Sequence, residues 1–117
     1  MILMRVNEGE KKAAVLYTAD KIGEEILEIG PSDLDRVIIG FSKNEDMRRK
    51  VNIPPLYQMP ELLVFVGFDS DKLDAFLDTY KSTGARPVAL KAISTVFNSV
   101  WTLFELIEHL KEEQAGR

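Results

Sequence analysis

Five consecutive apolar residues, Leu62 to Val66, stand between Glu61 and Gly67. A run of this length without alternation predicts a strand buried on both faces, at the centre of a sheet. Met1 to Val6 predicts a second apolar strand. Asn7 then offers a helix cap, Glu8 and Glu10 add negative charge at the positive end of the helix dipole, and Gly23 supplies the stop. Ala13 to Tyr17 would pass for a strand, but the punctuation at both ends predicts a helix there. Glu24 to Ile29, with three glutamates in six residues, predicts an edge strand, because charge discourages pairing with other chains.

Pro31-Ser32 opens the next element, where Leu34, Val37, Ile38 and Phe41 follow helical spacing with Ser32 as the cap, despite Gly40. Residues 43–60 have no period and contain Pro54, Pro55 and Pro60, which predicts an extended surface connection. Leu56, Tyr57 and Met59 are expected to reach back to the core. Asp69 or Ser70 starts a helix with Leu73, Phe76, Leu77 and Tyr80 on one stripe, ended by Gly84. Pro87 to Ile93 predicts an edge strand with Val88, Leu90 and Ala92 on one face and Lys91 on the other. The last helix has two candidate starts. One is the capping box of Thr102 and Glu105, with Trp101 stapled to Leu106; the other lies near Thr95, with Phe97, Val100, Trp101 and Phe104 on a face. The polar stretch beyond Leu110, above all 114–117, is expected to fray.

Laying the second half on the first with a shift of about sixty residues brings Asn7 near Asp69, Gly23 near Gly84 and Ser32 near Thr95. The expected architecture is one α/β domain over 1–117. Residues 1–42 and 61–113 each form a strand-helix-strand-helix half, joined by the 43–60 connection. The four-stranded sheet has the first and third strands inside, as in a ferredoxin-like split βαβ arrangement, the alternative being a fully parallel flavodoxin-like sheet. A ferredoxin-like sheet carries helices on one face only, while Leu62 to Val66 is apolar on both. The second face therefore needs a cover: the last helix, the 43–60 connection or a second copy of the chain.

Composition narrows the chemistry. The chain has no cysteine, so thiolate metal sites and thiol nucleophiles are excluded. Met1 to Val6 lacks the basic flank and length of a secretory signal, and no run reaches the length of a membrane span, so a cytoplasmic protein is expected. Residues 1–60 carry nine basic and ten acidic side chains and residues 61–117 six and nine, a balance that argues against nucleic-acid binding. The triplet Arg48-Arg49-Lys50 sits beside Glu45 and Asp46 and reads as a solvated loop.

Lys91-Ala92, Thr95, Asn98, Trp101-Thr102 and Glu105-Leu106-Ile107, within Pro60 to Leu110, resemble the bacterial family of domain of unknown function 3783. The Asn7 to Gly23 helix and Pro31-Ser32 resemble that family's less distinctive amino-terminal half. The chain departs from the family at Phe97 and Ser99-Val100, where a more polar loop is expected. The resemblance implies no activity.

One stretch has the makings of a site. Lys91, Ser94, Thr95, Asn98, Trp101 and Thr102 follow the last strand, where free backbone N–H groups at a helix start favour small anions. The plain structural reading is that Thr95, Asn98 and Thr102 cap, Trp101 staples and Lys91 decorates an edge. His109, with Glu105 and Glu108 nearby, lacks the partners that metal or acid–base chemistry needs. The aspartates of 69–78 lack the order of a calcium loop, and no phosphate loop or nucleophile elbow occurs. No catalytic residue, cofactor or metal is therefore expected. The leading reading is a non-enzymatic interaction or regulatory module with an unknown protein partner, forming a homodimer through Phe104, which widens the apolar arc of the last helix. The alternative is a small anionic-ligand-binding protein, or minor enzyme, using the turn after the last strand. RNA binding would follow only from analogy of fold.

Overall fold

The computed structural model describes residues 1–116. The elements in order are β1 (Ile2–Arg5), α1 (Gly9–Ile22), β2 (Ile26–Glu28), a 3-10 turn (Pro31–Asp33), α2 (Ile38–Ser42), β3 (Leu62–Phe65), α3 (Ser70–Ser82), β4 (Leu90–Ile93) and α4 (Leu103–Ala115). They form a single α/β domain with one mixed sheet of order β2-β1-β3-β4. β1 pairs parallel with β2 and β3 with β4, while β1 and β3 meet antiparallel at the centre.

The two apolar strands are the inner pair and the charged ones the edges, as the pattern demands. The split arrangement is corrected, because β2 lies directly beside β1 and no strand is inserted between them. The antiparallel centre also departs from a fully parallel sheet. The physical reason lies in the 29–61 segment. A split unit needs a short hairpin from β2 to β3, whereas here the chain first builds half of a second helical layer.

Both sheet faces are covered by the chain itself. Ile2, Met4, Leu63 and Phe65 point to α1 and α3, meeting Val15, Ala19, Phe76 and Tyr80. Leu3, Leu62, Val64 and Leu90 point the other way, to Leu34, Ile38, Phe41, Met59, Leu103, Leu106 and Ile107. The cover of the second face is thus α4, the α2 region and the end of the connection. Alternate residues of each inner strand serve opposite layers, which is why neither strand shows a polar face.

Local punctuation is mostly where the residue types put it. Glu8, one residue after Asn7, caps α1 by accepting from the N–H groups of Glu10 and Lys11, at 2.8 and 2.9 Å. Its longer side chain reaches back where Asn7 would have to start the helix earlier. Asp69 caps α3, and Gly23 and Gly84 take the left-handed conformation after α1 and α3. Val88 precedes the ladder and packs in the α1/α3 layer, on the other side from Leu90.

The expected helix from Ser32 is broken. Pro31–Asp33 forms the 3-10 turn, Arg36 and Val37 are extended, and α2 begins at Ile38. Extended backbone at Val37 is held by Thr102 across a bridge, with Ile38 N–H donating to Trp101 C=O at 2.9 Å and Leu103 N–H to Arg36 C=O at 3.0 Å. The starts of α2 and α4 therefore brace each other across the second layer.

The basic triplet is also more than solvated. Arg48 pairs with Asp35 and Asp46, at 2.5 and 2.9 Å, and Arg49 pairs with Glu105 and donates to the Val100 carbonyl. The Arg48 contacts fasten the connection to the segment before α2 and those of Arg49 fasten it to the start of α4, while Lys50 stays exposed. Met59 is buried and Tyr57 packs edge-on against Phe104, with ring centroids 5.2 Å apart. Leu56 does not reach the core. It is 98% exposed, at positive φ in a turn closed by Tyr57 N–H donating to Pro54 C=O. At the other end, α4 runs on through Gln114 and Ala115, in the tail expected to fray; Arg117 lies outside the described residues.

Candidate functional site

β4 ends at Ile93, and the chain returns to α4 through residues 94–102. Ser94 N–H donates to Phe65 C=O at 2.8 Å, extending the ladder by one bond. A compact turn follows, closed by its own side chains. Thr95 N–H donates to Asn98 Oδ1 at 2.8 Å, and the N–H groups of Phe97 and Asn98 donate to Thr95 Oγ1 at 3.2 Å. Asn98 Nδ2 donates to Ile93 C=O at 3.0 Å, tying the turn to the strand.

Thr102 is buried and starts α4. Its N–H donates to Glu105 Oε1 at 2.9 Å, and Glu105 N–H donates to Thr102 Oγ1 at 3.1 Å. The capping-box start is thus the one used. The N–H groups of Leu103 and Phe104 donate to Arg36 and Leu34 carbonyls, so the donors that normally make a helix start attractive to anions are spent within the chain.

The sequence-expected residues do not converge. Lys91 is in register with Leu63, on the α1/α3 side, and its Nζ donates to Val88 C=O at 3.2 Å. Thr102 lies in the opposite layer, braced against Val37. Trp101 packs on that second layer and tilts against His109, with centroids 4.8 Å apart. His109 faces Glu113 at 3.6 Å from the exposed side of α4. Among the described residues, no group of three His, Asp or Glu side chains is arranged to hold a metal ion, and no helix is long and apolar enough to cross a membrane.

What the turn leaves outside is apolar. Val96 and Phe97 are 83% and 81% exposed, and Val100 is exposed beside them. The sequence does signal this, since Val96-Phe97 and Val100 stand among capping residues that fix the turn. Reading Phe97 and Val100 as one face of a longer helix concealed it.

Residues 61–115 match the family described as domain of unknown function (DUF3783). The second half of the chain belongs to that family. The DUF3783 segment therefore contains β3, α3, β4, the capped turn and α4, and the residues before it lie outside the match. No curated protein and no solved structure matches the chain.

Electrostatics in the DUF3783 segment serve structure. The Thr102 N–H bond, reinforced by Arg49, holds the Glu105 carboxyl below its ordinary value of 4.5. In the first half, the Glu24 carboxyl is lowered by the Met1 ammonium and Lys72, and the Glu8 carboxyl by the backbone N–H groups of Glu10 and Lys11. A carboxyl depressed in the folded state contributes stability above its unfolded value, and that contribution is lost as pH falls through the folded value. Urea midpoints should therefore hold at neutral pH and decline below pH 4.5, and Glu105→Gln should shrink that decline.

The caps make a second expectation. Thr102→Ala should cost about 1 kcal/mol through the lost bond to the Glu105 N–H. Lys91→Ala should change the same unfolding midpoint very little.

Proposed function

We propose that the protein is a non-enzymatic interaction module that associates with itself through the 94–101 turn. The observation that carries this is the exposure of Val96 and Phe97 on a turn locked by Thr95 and Asn98. Single apolar side chains at a surface need no explanation, but three exposed within five residues of a preorganised turn favour association, since little conformational entropy remains to be lost. The polar side chains around it support the same reading, because they are committed to caps and ion pairs. Phe104, from which a subunit contact is expected on sequence, turns its ring onto Tyr57, so its margin is already met within the chain.

Sedimentation velocity over a micromolar concentration series tests the proposal. The wild type should associate as concentration rises. Phe97→Asp should stay monomeric with its melting curve within the about 0.5 kcal/mol expected of a surface change, whereas Phe104→Glu should lower stability through loss of the Tyr57 contact. A wild type that remains monomeric throughout overturns self-association.

A further inference from the structure

The sheet is four strands wide, but its α1/α3 face carries only two helices, which pack on each other above the middle of it. β4 is covered by α4 on its other face and left partly open on this one. The consequence shows on α3, whose apolar stripe is used unevenly. Phe76 and Tyr80 are buried, while Leu77 is 39% exposed. Beside Leu77 lie two adjoining cavities of about 390 and 160 Å³, both bordered by Leu77 and Lys91. Leu63, Phe76 and Val88 wall the larger, and Phe65, Leu73 and Ile93 the smaller.

We propose that this groove is a binding site for a small amphipathic anion, an unbranched medium-chain carboxylate, with its head at Lys81 and Lys91 and its chain along the apolar walls. The inference goes beyond the self-association reading and does not depend on it. Of the residues that the sequence suggested for an anion, only Lys91 takes part.

The polar lining decides the charge of the ligand. The chain carries 19 acidic side chains, yet none lines either cavity, whereas Lys81 borders the larger and Lys91 both. Asp74 and Asp78, on the same helix as Leu77, lie outside the lining. Neither lysine forms an ion pair among the described residues. Lys91 Nζ donates to the Val88 carbonyl at 3.2 Å, and an ammonium has further protons to give. The other polar groups are already committed. The Tyr80 hydroxyl donates to Arg86 C=O at 2.5 Å, and the N–H groups of Thr83 and Gly84 cover the Tyr80 and Lys81 carbonyls that close α3. What remains to meet a ligand is apolar wall and two cations.

Shape decides the rest. The larger cavity falls within the roughly 300–1,000 Å³ of small-molecule sites. Because Leu77 and Lys91 border both cavities, the space is elongated, and an unbranched chain can run from the mouth of the larger, past Leu77, into the smaller. Lys91 is in register with Leu63, so its stem adds to the wall while its ammonium stays at the mouth. Each methylene buried along this path should tighten binding roughly fourfold. A lysine kept for a ligand contributes little to the fold, in line with the small effect expected of Lys91→Ala on unfolding.

The test titrates decanoate, below its micelle-forming concentration, into the wild-type chain and follows amide NMR shifts. Saturable shifts at Leu77, Val88 and Lys91 are expected, with a dissociation constant roughly millimolar or tighter. Octanoate, shorter by two methylenes, should bind roughly tenfold more weakly. Decanol, which keeps the chain and loses the charge, should also bind about tenfold more weakly. Lys81→Ala and Lys91→Ala together should weaken decanoate by about the same factor and leave decanol unchanged, with the unfolding midpoint close to that of the wild type.

Equal affinity for decanoate and decanol would overturn the anion site, as would a double variant that binds decanoate like the wild type. Shifts centred on Val96 and Phe97 would assign the binding to the exposed turn and overturn the groove, and so would the absence of saturable shifts. None of these outcomes depends on the chain associating with itself, so a wild type that sediments as a monomer leaves the site standing.

Discussion

Replacing Phe65 with alanine is expected to lower the unfolding free energy by about 3–5 kcal/mol, the largest effect of any truncation considered for this chain. Phe65 is buried in the central strand and meets Phe76 at 5.0 Å between ring centroids and Phe68 at 5.1 Å. Its removal costs the transfer of the ring and leaves a void beneath α3. Strand backbone on one side and the Phe76–Tyr80 stack on the other limit relaxation into it. Because a domain of this size is stable by only ~5–15 kcal/mol, the loss is a large share of the whole. Thermal denaturation should show a fall of roughly 10–20 °C. A fall of only a few degrees would mean that the two layers repack around the gap.

Gly40→Ala is the second large effect, and its sign separates local from tertiary reasoning. Within a helix, alanine is favoured over glycine by about 1 kcal/mol, so propensity alone expects a gain. In the fold, a Cβ at Gly40 would lie 2.7 Å from the Glu45 carbonyl oxygen and 3.2 Å from Met47 Cβ. The oxygen is backbone, and the same loop is fastened by Glu45 N–H donating to Gly40 C=O at 2.8 Å. It has little freedom to retreat, so a net loss of about 1–3 kcal/mol is expected. Urea unfolding decides between the two signs. A stabilised variant would show that the 43–47 turn yields more easily than its bonds suggest.

The two halves differ in how much of their form their own residues specify. Asp69, Gly84 and the Thr102–Glu105 box act within a few residues of themselves, so cap and helix can be read together. The segment around Val37 obeys a distant partner. Its spacing suits a helix, yet Trp101 and Thr102 hold it extended, and a pattern confined to residues 31–42 carries no trace of them. The candidate site follows the same division. Thr95, Asn98 and Thr102 were legible as caps from their types and spacing. The separation of Lys91 from Thr102 depends on which side of the sheet each faces, and that is set by the register of β4 with β3.

By itself, the sequence determined that there are two strand-helix-strand units, that the apolar strands are inside and the charged ones at the edges, and where most helices start and stop. These follow from side-chain burial and from backbone groups satisfied nearby, both local in sequence. Only the tertiary structure decided the unsplit order β2-β1-β3-β4, the bracing of α2 against α4, the clasp formed by Arg48 and Arg49, and the groove left open beside β4. Each depends on surfaces brought together from opposite ends of the chain. An apolar strand requires cover on both faces, but many arrangements of the remaining segments provide it, and the one adopted is selected by the packing of all of them at once.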